Sequence, residues 1–191
     1  MSLFRRDPVT GRWTIASPGK PLLKRAPSAA GEVSRLAFCP FCPGHEEKTP
    51  QAVWEKKNGG TAPWAVRVVP NKFPALDPAL SPAPATAGIY DRMSGFGVHE
   101  VVIESPEHVT DFPSFSLDHA EKVVAAWVDR YRKIGADQRV RYILLFRNRG
   151  AEAGASLAHP HSQIIALPII PKLVMEEIGR ASCRERVLTD V

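Results

Sequence analysis

The clearest periodicity in the chain follows Ser116, where Ala120, Val123, Val124, Trp127, Tyr131 and Ile134 recur at steps of three and four. That spacing places apolar side chains on one stripe of an α-helix. Ser116 is a good N-cap and Gly135 a natural stop, so a helix is predicted between them. Other apolar segments are short and β-like. Val98 to Glu104 is a β-branched run halted by Ser105 and Pro106, and Trp64 to Val69 is an apolar run bounded by prolines. Val140 to Arg147 is too short for a helix of its own and reads as a central strand, and Leu157 to Leu167 as a final strand. Asp7 to Trp13, with Pro8 and Gly11, reads as a turn leading into a short strand through Trp13 and Ile15. Residues 16 to 36 look irregular. Residues 74 to 88 are rich in Pro and Ala, which fixes backbone angles and removes amide donors, and they are predicted to form a surface loop. Mostly strands, one long helix and no repeats predict an α+β fold, a largely antiparallel sheet with the helix packed on one side.

At 191 residues one domain is the default expectation. The net charge of +5 favours an anionic partner, but the Lys and Arg residues are scattered, which suits phosphate ligands better than nucleic acid. The N-terminus has no apolar signal region and no stretch is apolar enough for a membrane span, so a cytoplasmic protein without membrane partners is expected. Three cysteines cannot build a disulfide framework. Two of them, in Cys39-Pro40-Phe41-Cys42, read as a metal-binding pair, with redox exchange or simple packing in an apolar turn as the competing uses.

The chemistry concentrates at His159-Pro160-His161-Ser162-Gln163. In a strand, His159, His161 and Gln163 share one face, while Ser162, Ile164 and Ala166 are free to pack against the core. Pro160 cannot donate to a ladder, so this end of the strand is expected at an edge or open to a ligand. A solvated strand face is the plainer alternative. A neutral imidazole is the best side chain here for attack on phosphorus at neutral pH, and needs no base. Gln163 can donate to a phosphoryl oxygen but has no acidic proton to give, which favours transfer over hydrolysis. Amides of the loop Gly150 to Ser156 could cradle phosphate oxygens or could simply form a tight turn.

Two thiolates leave a tetrahedral zinc two ligands short, and the chain has no second Cys-x-x-Cys. The rest should be histidines, from His45, His99, His108, His119, His159 and His161. His119, in the first helical turn, reads as a solvated residue. Spacing does not decide among the others.

Five ordered blocks between Arg6 and Pro171 resemble the galactose-1-phosphate uridylyltransferases of the histidine-triad superfamily. They are Arg6 to Trp13, Cys39 to Cys42, Pro70-Asn71-Lys72-Phe73, His99 to His108, and Asn148 to Gln163. The resemblance implies a histidine-triad-like domain and a nucleotide sugar donor. It further implies a covalent nucleotidyl-histidine on His161, with Gln163 as its phosphate-binding partner, and transfer to a sugar 1-phosphate. It also implies zinc held by Cys39, Cys42, His108 and His159, nucleotide contacts from Asn71, Asn148 and Ser156, a site-lining or strand role for His99, and a homodimer. Family members continue into a second, similar half that supplies hexose contacts. The blocks Gly95 to Pro106 and Gly154 to His159 also resemble the branch containing ADP-glucose phosphorylases, which transfer adenylyl groups to phosphate. A zinc-stabilised nucleotide-binding domain without turnover is a third reading.

Residues 1–176 are thus expected to be an N-terminal nucleotidyltransferase domain. Glu177 to Val187 resembles translated sequencing-adapter DNA, and 177–191 is expected to be a non-native tail in which Cys183 has no role.

Overall fold

The apolar stripe after Ser116 folds in the computed structural model into a nineteen-residue helix, α1 (Leu117–Gly135), whose first turn is capped by the Ser116 hydroxyl accepting from the His119 amide. The structure describes residues 2–16, 39–57, 59, 62–108, 110–150, 153, 155 and 157–177. The irregular stretch expected before the cysteine pair, Ser156, and the tail beyond Glu177 lie outside the described residues. The strands are β1 (Leu3–Arg6), β2 (Trp13–Ala16), β3 (Trp54–Lys56), β4 (Val66–Pro70), β5 (Pro84–Ala87), β6 (Tyr90–Ser94), β7 (Val98–Ile103), β8 (Tyr142–Phe146) and β9 (His161–Leu167). They form a five-stranded sheet in the order β3-β4-β7-β9-β8 and a four-stranded sheet in the order β2-β1-β6-β5. The ladders between these strands are all antiparallel. The α+β expectation therefore holds.

Alternation along the strands gives the larger sheet two different faces. Val66, Val68, Val102, Ile164 and Ala166 face α1 and pack with Val123, Ala126 and Ile134. Trp64, Val69, Val101 and Ile103 form a second cluster that Phe41 covers. Glu100 is buried on the helix side and receives a bidentate pair of bonds from Arg130 of α1, both 2.8 Å. Replacing Arg130 with Ala leaves that carboxylate buried without its cation and is expected to lower stability by about 3 kcal/mol, read by urea denaturation.

Three local expectations are corrected. Residues 84–87 are not loop but strand β5, because Pro84 sits at the start of a strand on the sheet's edge, where a missing amide donor costs least. Val140 to Arg147 supplies an edge strand and not a central one, since among the described residues β8 pairs only with β9. The helical stripe is wider than its buried face: Val124 and Tyr131 are exposed and, with Leu145 of β8, line an apolar groove beside the edge strand. Gly97, between β6 and β7, shows why no other residue serves there. A Cβ at that position would meet the Ala166 carbonyl oxygen at 2.3 Å. No helix among the described residues is long and apolar enough to cross a membrane.

Candidate functional site

The site is built where the cysteine turn meets the first residues of β9. Cys42 N donates to Cys39 O at 3.2 Å, closing the turn, and Trp64 Nε1 donates to Glu46 Oε1 at 2.8 Å, tying the segment after the turn to the core. Phe41, inside the turn, lies edge-on to His159 and His161, with ring centroids 6.0 and 5.5 Å away. On the sheet, β7 pairs Ile103 with His161 and Val101 with Gln163, so both polar side chains project from the face opposite α1. The helix-facing register holds as expected. Ser162 lies there and accepts from Trp127 Nε1 at 2.9 Å.

Cys39, Cys42, His108 and His159 converge, with their four donor atoms all within 4.8 Å of one another. Cys42 Sγ lies 3.4 Å from His108 Nδ1 and 3.7 Å from His159 Nδ1, and Cys39 Sγ lies 3.7 Å from the same His159 nitrogen. His159 Nε2 donates to the Ser105 carbonyl at 2.8 Å, which leaves Nδ1 with its lone pair toward the thiols. Burial drives the His159 pKa down to about 4, so the ring is neutral and able to donate at pH 7. Burial, and then the neighbouring Cys39, push the Cys42 thiol up to about 11, so ionising this thiol calls for a cation. This Cys2His2 cluster could hold a metal.

His161 stands beside the cluster, buried. Its Nδ1–H donates to the His159 carbonyl at 2.8 Å, which fixes the tautomer and puts the ring's lone pair on Nε2. Burial lowers its pKa more strongly than that hydrogen bond raises it, and Arg147 lowers it further. The ring is therefore neutral at physiological pH. Arg147, at the end of β8, also ion-pairs with the wholly buried Glu104 at 3.1 Å and with Asp111 at 3.2 Å. Asn148 follows it directly, half-buried. On the other side of Gln163, His99 Nε2 lies 2.8 Å from Gln163 Oε1 and 3.0 Å from Asn71 Nδ2.

Two sequence expectations, for His159 and His119, change at this point, and the one for Pro160 is met on one side. His159 precedes β9, which begins at His161. Pro160 keeps a partner on the β7 side, its carbonyl accepting from Glu104 N at 3.1 Å, and β9 is interior only from Gln163 onward. The β8 ladder stops at Phe146 opposite Gln163, so the His161 end of β9 is open on that side, as the proline led one to expect. His119 is not simply solvated, because its Nε2 donates to the Glu104 carbonyl at 2.7 Å and its ring lies edge-on to Phe115. His45 stands apart from the cluster, with Nδ1 2.7 Å from the Cys39 carbonyl. Sequence reasoning missed Glu104, Arg147 and Phe41. The one available signal was Glu104, a carboxylate closing an apolar strand.

A sheet presenting a histidine beside a Cys2His2 cluster defines a class of α+β domain, and the family follows from direct comparison. The chain belongs to the galactose-1-phosphate uridyl transferase family, whose N-terminal domain it matches over residues 4–171. It is 33% identical to a galactose-1-phosphate uridylyltransferase of Thermotoga maritima over 94% of the chain, and 35% identical to an ADP-glucose phosphorylase of Arabidopsis thaliana over 92%. The chain spans about half the length of these relatives, 51% of each. Among solved structures, a uridylyltransferase superposes with TM-score 0.71 at 32% identity, covering 98% of this chain and 52% of that one. The Arabidopsis thaliana ADP-glucose phosphorylase with bound ADP-glucose gives 0.60 at 32%, covering 90% and 50%.

Proposed function

We propose that this chain carries the nucleotide in an enzyme that moves UMP from UDP-glucose to galactose 1-phosphate through a covalent intermediate on His161. The observation that carries this reading is the bond from His161 Nδ1–H to the His159 carbonyl, which leaves a neutral imidazole with its lone pair on Nε2. That lone pair attacks the α-phosphorus of the donor. An N–P bond forms as the P–O bond to glucose 1-phosphate breaks, and the leaving group departs with the electron pair. A phosphate oxygen of galactose 1-phosphate then attacks the same phosphorus, and the P–N bond breaks to return its electrons to Nε2. The acceptor is already ionised, so neither step needs a general base. Gln163, two residues on and on the same face, donates its amide hydrogens to the phosphoryl oxygens as charge builds on them. Asn71, Asn148 and Ser156 are proposed nucleotide contacts.

Zinc is the metal we assign to Cys39, Cys42, His108 and His159. Tetrahedral bonds of about 2.3 Å to sulfur and 2.0–2.1 Å to nitrogen imply an S···N edge near 3.5 Å. The observed separations of 3.4 to 3.7 Å match it. When bound, zinc stabilises the thiolates and ties the cysteine turn to the residue before Pro160. Because the free Cys42 thiol is protonated well above neutrality, metal entry displaces its proton. Affinity is therefore expected to rise with pH, by about tenfold per unit for each proton released between about pH 5 and 8, measured by chelator competition. Free thiols suit a reducing compartment such as the cytoplasm, and a homodimer is carried into this reading by family resemblance.

A second reading, adenylyl transfer from ADP-glucose to phosphate, is favoured by the 35% identity to the Arabidopsis thaliana phosphorylase. Incubation with labelled UDP-glucose and ADP-glucose in competition separates the two. The uridylyl reading expects label on protein chiefly from UDP-glucose, and preferential labelling by ADP-glucose overturns it. Stoichiometric nucleotide binding without label from either donor indicates a zinc-stabilised binding domain without turnover.

A further inference from the structure

A primary amide has two ends of nearly equal size, one that accepts and one that donates, and only the donating end of Gln163 can serve a phosphoryl oxygen. Something has to choose between them. The backbone N–H of Ala75 donates to His99 Nδ1 at 3.2 Å, which requires a lone pair on Nδ1 and puts the ring proton on Nε2. That proton faces Gln163 Oε1 at 2.8 Å. Along β7, His99 pairs with Ile165 and Ile103 with His161, so Gln163 lies between the two histidines on one face. The end of the amide not taken by His99 is thus the N–H end, on the His161 side.

We propose that His99 is a positioning residue for nucleotidyl transfer, holding Gln163 so that its N–H donors face the phosphoryl group attacked by His161. The proposal rests on the reading of Gln163 as the phosphoryl-binding group. His99 is itself built in. Its carbonyl accepts from Asn71 N at 2.8 Å, and the Asn71 side chain is oriented by Oδ1 accepting from Phe73 N at 2.9 Å. Burial lowers the His99 pKa more than the Gln163 bond raises it, so the ring stays neutral and keeps a single N–H. In the opposite tautomer Nε2 would accept from Asn71 Nδ2, 3.0 Å away. The Gln163 amide would then turn over, and the Ala75 N–H would face another N–H.

Two measurements test this on the metal-loaded chain. Nitrogen-15 NMR of the histidine rings is expected to find His99 as the Nε2–H tautomer, and the Nδ1–H tautomer overturns the proposal. Kinetically, His99→Phe keeps a ring but removes the donor. It is expected to slow labelling of His161 at saturating donor by up to about 10²-fold, the scale of a lost transition-state donor, with little change in half-saturating concentration. His99→Gln, whose amide can donate to Oε1, should recover most of the rate. In a Gln163→Ala background His99→Phe should have no further effect, because the two residues act as one unit. Independent, additive losses mean that His99 acts only through the fold, and overturn the proposal. If the unsubstituted chain takes no label from any donor, it is the nucleotidyl-transfer reading that fails, and the tautomer measurement still decides the orientation of Gln163.

Discussion

Replacing His161 with alanine is expected to abolish nucleotide attachment, with the labelling rate falling on the order of 10⁴-fold or more. The size follows from the role. Loss of a covalent nucleophile removes a reaction path and not merely a contact, and the neighbouring imidazole of His159 cannot replace it. His159 has both ring nitrogens engaged, Nε2 at the Ser105 carbonyl and Nδ1 toward the two thiols. The fold should survive the substitution, because His161 gives up only one hydrogen bond, to a backbone carbonyl. Label that persists on His161→Ala at the normal rate assigns the chemistry elsewhere. Unchanged metal content in the variant separates a lost nucleophile from a collapsed site.

Replacing Cys39 with serine is the second large effect expected. The two thiols come from one turn, His108 from the segment after β7, and His159 from the residues before β9, so a metal held there would join three segments distant in sequence. Binding energy at such a site is also folding energy, and structural zinc contributes about 10 kcal/mol or more in zinc-finger peptides. Two hydrophobic clusters also stabilise this domain, and serine removes one of four ligands, so only part of that energy is at stake. We expect a loss of about 5 kcal/mol, seen as a fall in Tm of about 10–20 °C, with metal content dropping from near one equivalent toward zero. Serine is close in size to cysteine, which confines the change largely to coordination. A Cys39→Ser variant that keeps its Tm, or wild-type chain that is equally stable after exhaustive chelation, removes zinc from the account.

Much of the site could be read from residue order, because its chemistry is local in the chain. The alternation in His161-Ser162-Gln163 separated a polar face from a core face, and the structure puts Ser162 and Ile164 on the helix side as that period requires. The spacing of the cysteine pair pointed to metal binding, and the fold sets both thiols in a cluster that could hold a metal. The pair's partners could not be chosen the same way: by spacing alone His45 is as plausible as His108, and only the fold shows it turned to the Cys39 carbonyl. Pro160 marked the open end of β9, although not which neighbouring strand is missing there. A missing amide donor shows that one ladder bond is absent but not which neighbour lacks it, and here β8 simply ends at Phe146 before reaching the proline.

The sequence by itself determined the helix, the main strands and their buried faces, and it pointed to the residues proposed to react, because periodicity, capping and side-chain chemistry act over a few residues. Tertiary structure alone decided strand order, which histidines meet the thiols, the pairing of Arg147 with Glu104, and the placement of His99 against Gln163. Those contacts join positions 43 to 120 residues apart. Their geometry depends on how the strands stack into one sheet, which is a property of the packed chain that no short window of residues carries.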